Sequence, residues 1–237
     1  MDTAYPWLAR PSGGYVFVVT YGRSGSTVLQ NLLNSIDGYR IRGENENALF
    51  HLMQAWHAVL NSEPMRGLRQ AGRATQRNDP WYGAERVDPG RLGRGLADLF
   101  VREVLQPEPG DRVSGFKEIR FHTHPELFPA YLDFIHAVFP ATRFVFNTRN
   151  HDAVAKSGWW ATMPPEQVKA QLTTAEALFT DYLAARPGRG IRLHYDDYVG
   201  RPEAFRPLFD FLGEPFEPDR VAEVIGQRLD HTGTKLS

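Results

Sequence analysis

The polar stretch YGRSGST, residues 21–27, contains residue types that can bind an anion. It follows the apolar run YVFVVT, typical of a buried strand in a parallel sheet, and precedes the helical pattern VLQNLL. At such a turn, the unpaired N–H groups and the dipole of the helix favour negative charge. Gly22 and Gly25 let the backbone turn and approach a ligand closely. The stretch predicts an anion-binding loop, although taken alone it also suits an ordinary capped turn.

The side chains of this loop suit a phosphate or sulfate group better than a nucleoside triphosphate. Arg23 offers a planar fork to anionic oxygens, and hydroxyl donors follow at Ser24, Ser26 and Thr27. The loop has no lysine before its last hydroxyl residue, where triphosphate enzymes place the lysine that reaches the terminal phosphates. Triphosphate hydrolysis is therefore disfavoured.

Alternating strand and helix patterns must position this loop. Strands are predicted at 15–20, 39–41, 112–116, 143–148 and 191–194. Helices are predicted at 27–33, 44–60, 92–105, 125–139, 152–159, 167–185 and 202–212. This alternation predicts an α/β fold, with a central, mainly parallel β-sheet flanked by helices. We expect one domain over 1–237, with a loop-rich insert around 61–110 and short helices at most up to residue 90.

Composition excludes several classes of protein. The chain has no cysteine, so neither disulfides nor thiolate chemistry is available, which suits a reducing compartment. A net charge of −1 argues against a nucleic-acid partner. The chain shows no leader pattern and no apolar window long enough for a membrane span, so we expect a cytoplasmic protein. Seven arginines between residues 66 and 94 indicate a solvated insert or, alternatively, a surface for a polyanionic substrate.

A second site gives the loop a more specific interpretation. TYGRSGST resembles the 5′-phosphosulfate loop of sulfotransferases that use 3′-phosphoadenosine 5′-phosphosulfate (PAPS). In RFVFNTRNHDAVAKSGWW, Arg149 ends a strand and Ser157 follows eight residues later, as in the 3′-phosphate site of that family. We expect Ser157 two turns into the next helix. HYDDYVGRPEAFRPLFDFLGEPFEP is similar to the family's C-terminal half. The resemblance implies a P-loop-like sulfotransferase fold and PAPS as donor.

The resemblance also implies a base and cations for sulfuryl transfer. Glu44 occupies the region of the catalytic glutamate in carbohydrate-directed members and is our first choice of base. Glu46 is the competitor, although an acidic residue in a helix's first turn stabilises that helix. Either carboxylate could instead bind acceptor hydroxyls. His122 and His124 are the histidine alternatives, ranked below Glu44.

Lys117 in GFKEIRF looks like the family lysine that meets the sulfuryl group or the acceptor. With Arg23, it would neutralise charge on the transferring and leaving groups. Glu118 and Arg120 beside it remain open, because surface ion pairs explain them equally well.

Three further groups have alternative explanations. The C-terminal segment 228–235, with His231, Thr232 and Lys235, is either a nucleotide-contacting loop or a frayed end. Trp159 and Trp160 either line the acceptor cleft or pack against helices. His51 and His57 are not spaced as a zinc pair, and we expect no metal.

The sequence thus predicts a sulfotransferase acting on a hydroxyl of a carbohydrate or small-molecule acceptor. The rival enzyme is a nucleotide or small-molecule kinase with a degenerate phosphate loop. The rival without catalysis is a nucleotide-binding module.

Overall fold

Five parallel strands form the centre of the fold, as predicted. The computed structural model describes residues 4–226. The strands are β1 (Gly14–Val19), β2 (Tyr39–Arg42), β3 (Val113–Glu118), β4 (Thr142–Thr148) and β5 (Gly190–His194). They lie side by side in the order β2-β3-β1-β4-β5, and every neighbouring pair is parallel. All strands therefore end at one edge, where ligands of parallel α/β sheets usually bind.

Helices cover both faces of this sheet. The α-helices of the described residues are α1 (Ser26–Asn34), α2 (Ala48–Asn61), α3 (Glu63–Ala71), α4 (Pro89–Phe100), α5 (Phe128–Val138), α6 (His151–Ala155), α7 (Pro165–Ala185), α8 (Tyr195–Tyr198), α9 (Arg206–Leu212) and α10 (Pro218–Gly226). A π-helical turn, Val101–Leu105, extends α4. Short 3₁₀ turns lie at Ala84–Arg86, Phe121–Thr123, Pro125–Leu127, Gly158–Thr162 and Pro202–Phe205.

The core divides into two clusters, one on each face of the sheet. Alternate side chains of a strand point to opposite faces. Phe17 therefore packs on one side against the helices α2, α4, α5 and α7. Val16 and Val18 pack on the other side against α1, α9 and α10. Because both faces are covered, β1 is apolar at successive positions, which is the pattern seen in the sequence.

Two local predictions need correction. Ser157 does not lie within a helix, because α6 ends at Ala155 and Ser157 has extended backbone angles. The turn that follows depends on Gly158, whose φ of 58° is left-handed. Glu46 was expected in the first turn of a helix, but α2 begins at Ala48 with Asn47 as N-cap.

The insert contains more helix than its composition suggests. Ser62 caps α3 by accepting a hydrogen bond from the Met65 N–H, and a proline stands in the first turn. None of the residues of α3 is buried. The insert therefore adds a solvated helix outside the core. Over residues 4–226, no helix combines the length and apolar character needed to cross a bilayer.

Candidate active site

A cleft of about 260 Å³ opens at the edge of the sheet where the strands end. The described residues that line it are Gly22, Arg23, Gly25, Ser26, Thr27, Val28, Glu44, Lys117, Ile119, Arg149, Trp159 and Tyr195. Seven of the nine residues predicted for the site are among them. The other two are Ser24, which is buried, and Ser157, which is partly exposed and contacts the lining residue Arg23. The fold therefore brings together positions as far apart in the sequence as Gly22 and Tyr195.

The loop over residues 21–27 reaches the cleft through unusual backbone angles. Arg23 has a φ of 66°, and Gly25, the N-cap of α1, has a φ of 79°. A Cβ atom at Gly25 would lie 2.1 Å from the Tyr195 ring, so glycine is required there. No side chain caps the start of α1. The Val28 N–H donates to the Gly25 carbonyl over 3.0 Å, so the amides that α1 offers to an anion are those of Ser26 and Thr27 before it.

Buried hydrogen bonds hold this loop against the sheet. The Ser24 hydroxyl is buried and lies 2.7 Å from the hydroxyl of Thr20. The Asn147 side-chain amide donates to the Ser24 carbonyl over 2.9 Å. Ser24 was predicted as a ligand of the anion, but in this structure its hydroxyl contacts Thr20 and anchors the loop.

Three of the residues predicted to bind a nucleotide's phosphates, Arg23, Arg149 and Ser157, lie close together. Arg23 Nε donates to Ser157 Oγ over 2.9 Å, and Arg149 Nη1 donates to the Arg23 carbonyl over 3.1 Å. The Arg149 guanidinium also lies 4.4 Å from the centre of the Tyr195 ring, a cation–π contact. Its Nε is buried and has no hydrogen-bond partner among residues 4–226. An unpaired buried donor of this kind is costly unless a ligand satisfies it.

Tyr21 and Glu176 position Arg149, and sequence reasoning missed both. The Arg149 backbone N–H donates to the Tyr21 hydroxyl over 2.7 Å, and that hydroxyl lies 2.8 Å from Glu176 Oε1. Burial raises the pKa of Tyr21, so the phenol stays protonated. Glu176 also contacts His151 and Arg192. These contacts tie α7 to the loop and to the end of β4.

Glu44 and Lys117 form an ion pair in the cleft. Glu44 Oε1 lies 2.6 Å from Lys117 Nζ, and Oε2 lies 3.2 Å from Arg120 Nη1. The Lys117 side chain is buried, whereas about a third of the Glu44 side chain is exposed. A carboxylate and an ammonium group thus face the same space, and a solvent-accessible ligand can reach the carboxylate.

The other acidic candidate occupies a different environment. The Glu46 side chain is 83% exposed, and it contacts Arg120 Nη2 over 3.0 Å. It is not part of the cleft lining. Of the two carboxylates, only Glu44 lies in the cleft beside Lys117.

The histidine candidates also lie outside the cleft lining. His122 is partly buried, its Nδ1 has no hydrogen-bond partner among residues 4–226, and its ring packs edge-on against Phe179. Burial lowers the pKa of His122 to about 4. His124 stacks on Phe50, with ring centres 4.5 Å apart. Within residues 4–226, no group of three or more His, Asp or Glu side chains is arranged to hold a metal ion.

The two tryptophans divide the roles that the sequence left open. Trp160 is buried, and its indole N–H donates to the Gly22 carbonyl over 3.0 Å. Trp159 is half exposed and lines the cleft, close enough that a Cβ at Gly22 would meet its ring at 2.2 Å. Trp160 therefore supports the loop, and Trp159 gives the cleft an apolar wall. His231, Thr232 and Lys235 lie outside the described residues.

A parallel α/β sheet whose first strand leads through a glycine turn into an uncapped helix defines the P-loop-like class of α/β proteins. Within that class, this chain belongs to the sulfotransferase family, because residues 15–218 match the family of that description. No curated protein matches the sequence.

Two solved structures are similar to this chain. One is the sulfotransferase domain of the olefin synthase from Synechococcus PCC 7002, with a TM-score of 0.56 and 19% identity, over 93% of this chain and 80% of that one. The match to sulfotransferase STF9 from Mycobacterium avium has a TM-score of 0.47 and 12% identity, over 97% of this chain and 71% of that one. The first likeness confirms the predicted sulfotransferase fold.

Proposed function

We propose that this sulfotransferase uses PAPS as donor and moves its sulfuryl group to a hydroxyl of a carbohydrate or other small-molecule acceptor. The observation that carries the proposal is the arrangement of two charged groups around one cleft. Arg23, Arg149 and Ser157 form one group, and the Glu44–Lys117 pair forms the other. The first suits a nucleotide with two separate anionic groups, and the second suits an acceptor hydroxyl that must lose a proton.

The residues around the loop fit such a donor. Arg23 and the uncapped start of α1 would hold the 5′-phosphosulfate, since both offer donors to an anion. Arg149 and Ser157 would hold the 3′-phosphate. The buried, unpartnered Nε of Arg149 supports this assignment, because a phosphate oxygen would supply the missing acceptor. The Tyr195 ring, 4.4 Å from the Arg149 guanidinium, helps to hold that group in place.

The bound donor supplies the sulfuryl group, and adenosine 3′,5′-bisphosphate leaves. In this scheme, the Glu44 carboxylate takes the proton from the acceptor hydroxyl as its oxygen bonds to sulfur. Lys117, 2.6 Å from Glu44, is positioned to offset negative charge on the transferring group, and Arg23 to offset charge on the leaving phosphate. Trp159 offers an apolar face to the ring of an acceptor.

Glu44 is a better base than its rivals on two grounds. It lines the cleft next to a cation, whereas Glu46 and His122 do not line it. Burial also lowers the pKa of His122 to about 4, which makes its ring a poor proton acceptor at neutral pH.

Calorimetry with two nucleotides tests the donor assignment. Adenosine 3′,5′-bisphosphate should bind at least about tenfold more tightly than adenosine 5′-monophosphate, because one charge-assisted hydrogen bond contributes about 1.5 kcal/mol or more. Equal affinities would rule out the 3′-phosphate site. Tighter binding of ATP with magnesium than of the bisphosphate would favour the kinase alternative.

A further inference from the structure

Glu118, the last residue of β3, is a fully buried carboxylate that accepts hydrogen bonds at both oxygens. Its Oε2 accepts from the backbone N–H groups of Asn45 and Asn47, over 3.1 and 3.0 Å. Its Oε1 accepts from the backbone N–H groups of Ile119 and Arg120, over 2.8 and 3.2 Å. The first pair of donors belongs to the segment 43–47 that carries Glu44.

Segment 43–47 needs such an anchor because its backbone is strained. Glu46 and Asn47 have φ values of 55° and 57°, although neither is glycine. The left-handed conformation costs roughly 1–2 kcal/mol per residue that has a side chain. The N–H groups bonded to Glu118 lie on either side of Glu46 and so hold the segment in this conformation.

Arg120 connects the same carboxylate to Glu44 itself. Its Nη1 lies 3.0 Å from Glu118 Oε1 and 3.2 Å from Glu44 Oε2. Burial by itself would lower the pKa of Arg120. The hydrogen bond to Glu118 and the negative charges of Glu118, Glu46 and Glu44 outweigh burial, so the pKa of Arg120 is raised. Arg120 therefore stays charged, and its position depends on Glu118.

We propose that Glu118 is a positioning residue that fixes Glu44 beside Lys117. It acts through the backbone of segment 43–47 and through the Arg120 guanidinium. It does not line the cleft, so it has no direct contact with substrate. The proposal rests on the proposed role of Glu44 as base, and it adds that Glu118 determines the position of the Glu44 carboxylate.

The isosteric substitution Glu118→Gln tests this arrangement. A glutamine has one acceptor oxygen and one NH₂ group. In either orientation, the NH₂ group must face two backbone N–H donors, either those of Asn45 and Asn47 or those of Ile119 and Arg120. No rotation of the amide satisfies both pairs, so the variant loosens the anchor while keeping the volume of the side chain.

We expect kcat of Glu118→Gln to fall about 100-fold, since a displacement of about 1 Å in a reacting group can have that effect. Affinity for adenosine 3′,5′-bisphosphate should stay near the wild-type value, because the proposed nucleotide ligands lie elsewhere in the cleft. Hydrogen exchange should speed up at residues 43–47 and not at 21–27.

Glu214→Gln is the matched control for a general loss of stability. Glu214 is also a largely buried carboxylate, and both of its oxygens accept hydrogen bonds from Arg112. Arg112 stands just before the first residue of β3, at the end of the strand away from the cleft. This variant should keep its kcat even if it melts earlier.

Three results would overturn the proposal. The first is a folded Glu118→Gln protein with wild-type kcat and wild-type exchange at residues 43–47. The second is an equal loss of kcat and nucleotide affinity, which would mean general damage to the fold. If Glu118→Gln does not fold, Arg120→Gln takes its place, because it removes the guanidinium contacts with Glu44, Glu46 and Glu118 but keeps the backbone bonds to Glu118. An unchanged kcat in that variant is the third result. If wild-type protein transfers no sulfuryl group but exchange rises selectively at 43–47, the anchor holds and the proposed function fails.

Discussion

Replacing Arg149 by alanine should weaken binding of a nucleotide only where that nucleotide carries a 3′-phosphate. Arg149 lines the cleft, stacks 4.4 Å from the Tyr195 ring and keeps a buried Nε without a protein partner. A hydrogen bond to a charged group contributes about 1.5–3 kcal/mol, so the variant should bind adenosine 3′,5′-bisphosphate about 10- to 150-fold less tightly.

Adenosine 5′-monophosphate separates this effect from damage to the loop. Arg149 Nη1 also donates to the Arg23 carbonyl, so alanine removes one loop contact. Any resulting change in the loop weakens the binding of both nucleotides alike, whereas loss of a side chain that binds the 3′-phosphate weakens the binding of the bisphosphate alone. Titration calorimetry with both nucleotides measures the difference directly.

Arg201→Ala is the control for removing an arginine near α8. Arg201 is exposed, donates to the Asp196 carbonyl and does not line the cleft, so its variant should bind both nucleotides as wild type does. The reasoning is refuted if Arg149→Ala binds the bisphosphate normally, or loses equal affinity for both nucleotides.

Three further variants test the loop, the base and the buried histidine. In urea unfolding, Gly25→Ala should lower the free energy of unfolding by about 1–3 kcal/mol more than Gly83→Ala does. Both glycines have positive φ, but only Gly25 contacts the Tyr195 ring. Equal losses in the two variants would contradict the predicted clash with that ring. Glu44→Gln should reduce kcat about 10²- to 10⁴-fold without weakening nucleotide binding, and near-normal turnover would transfer the role of base to Glu46. His122 stays neutral in the folded state down to about pH 4, whereas in the unfolded chain it takes up a proton near pH 6.5. The unfolded state therefore binds more protons in this window, and His122 alone should lower the free energy of unfolding of the wild type by about 2.5 kcal/mol from pH 6.5 to pH 4. When the free energy of unfolding in urea is measured against pH, His122→Phe should lack this part of the decline. Parallel curves for the variant and the wild type would contradict the lowered pKa of His122.

Local patterns were enough to predict the sheet and most of the candidate site. The loop around Arg23 and the strand before Arg149 are contiguous strand-loop-helix signals, and parallel strands bring their carboxyl ends to one edge. The family resemblance pointed to Glu44 and Lys117, and the structure places these two side chains 2.6 Å apart.

What the sequence did not predict depends on distant contacts or on exact boundaries of helices. Glu118 anchors Asn45 from 73 positions away, and Tyr21 meets Glu176 across 155. Neither pair has a periodic signature. Ser157 follows a run of good helix formers, but the helix ends at Ala155 before the left-handed Gly158.

Transfer of labelled sulfuryl from PAPS to a panel of hydroxyl acceptors tests the central claim most directly. The account predicts that wild-type protein labels at least one carbohydrate or small-molecule acceptor and releases adenosine 3′,5′-bisphosphate in equal amount. It predicts that Glu44→Gln binds the bisphosphate as tightly as the wild type does, but labels no acceptor at a rate comparable to that of the wild type. Labelling by Glu44→Gln at the wild-type rate would contradict the mechanism, and wild-type transfer of phosphate from ATP, with none of sulfuryl from PAPS, would contradict the function.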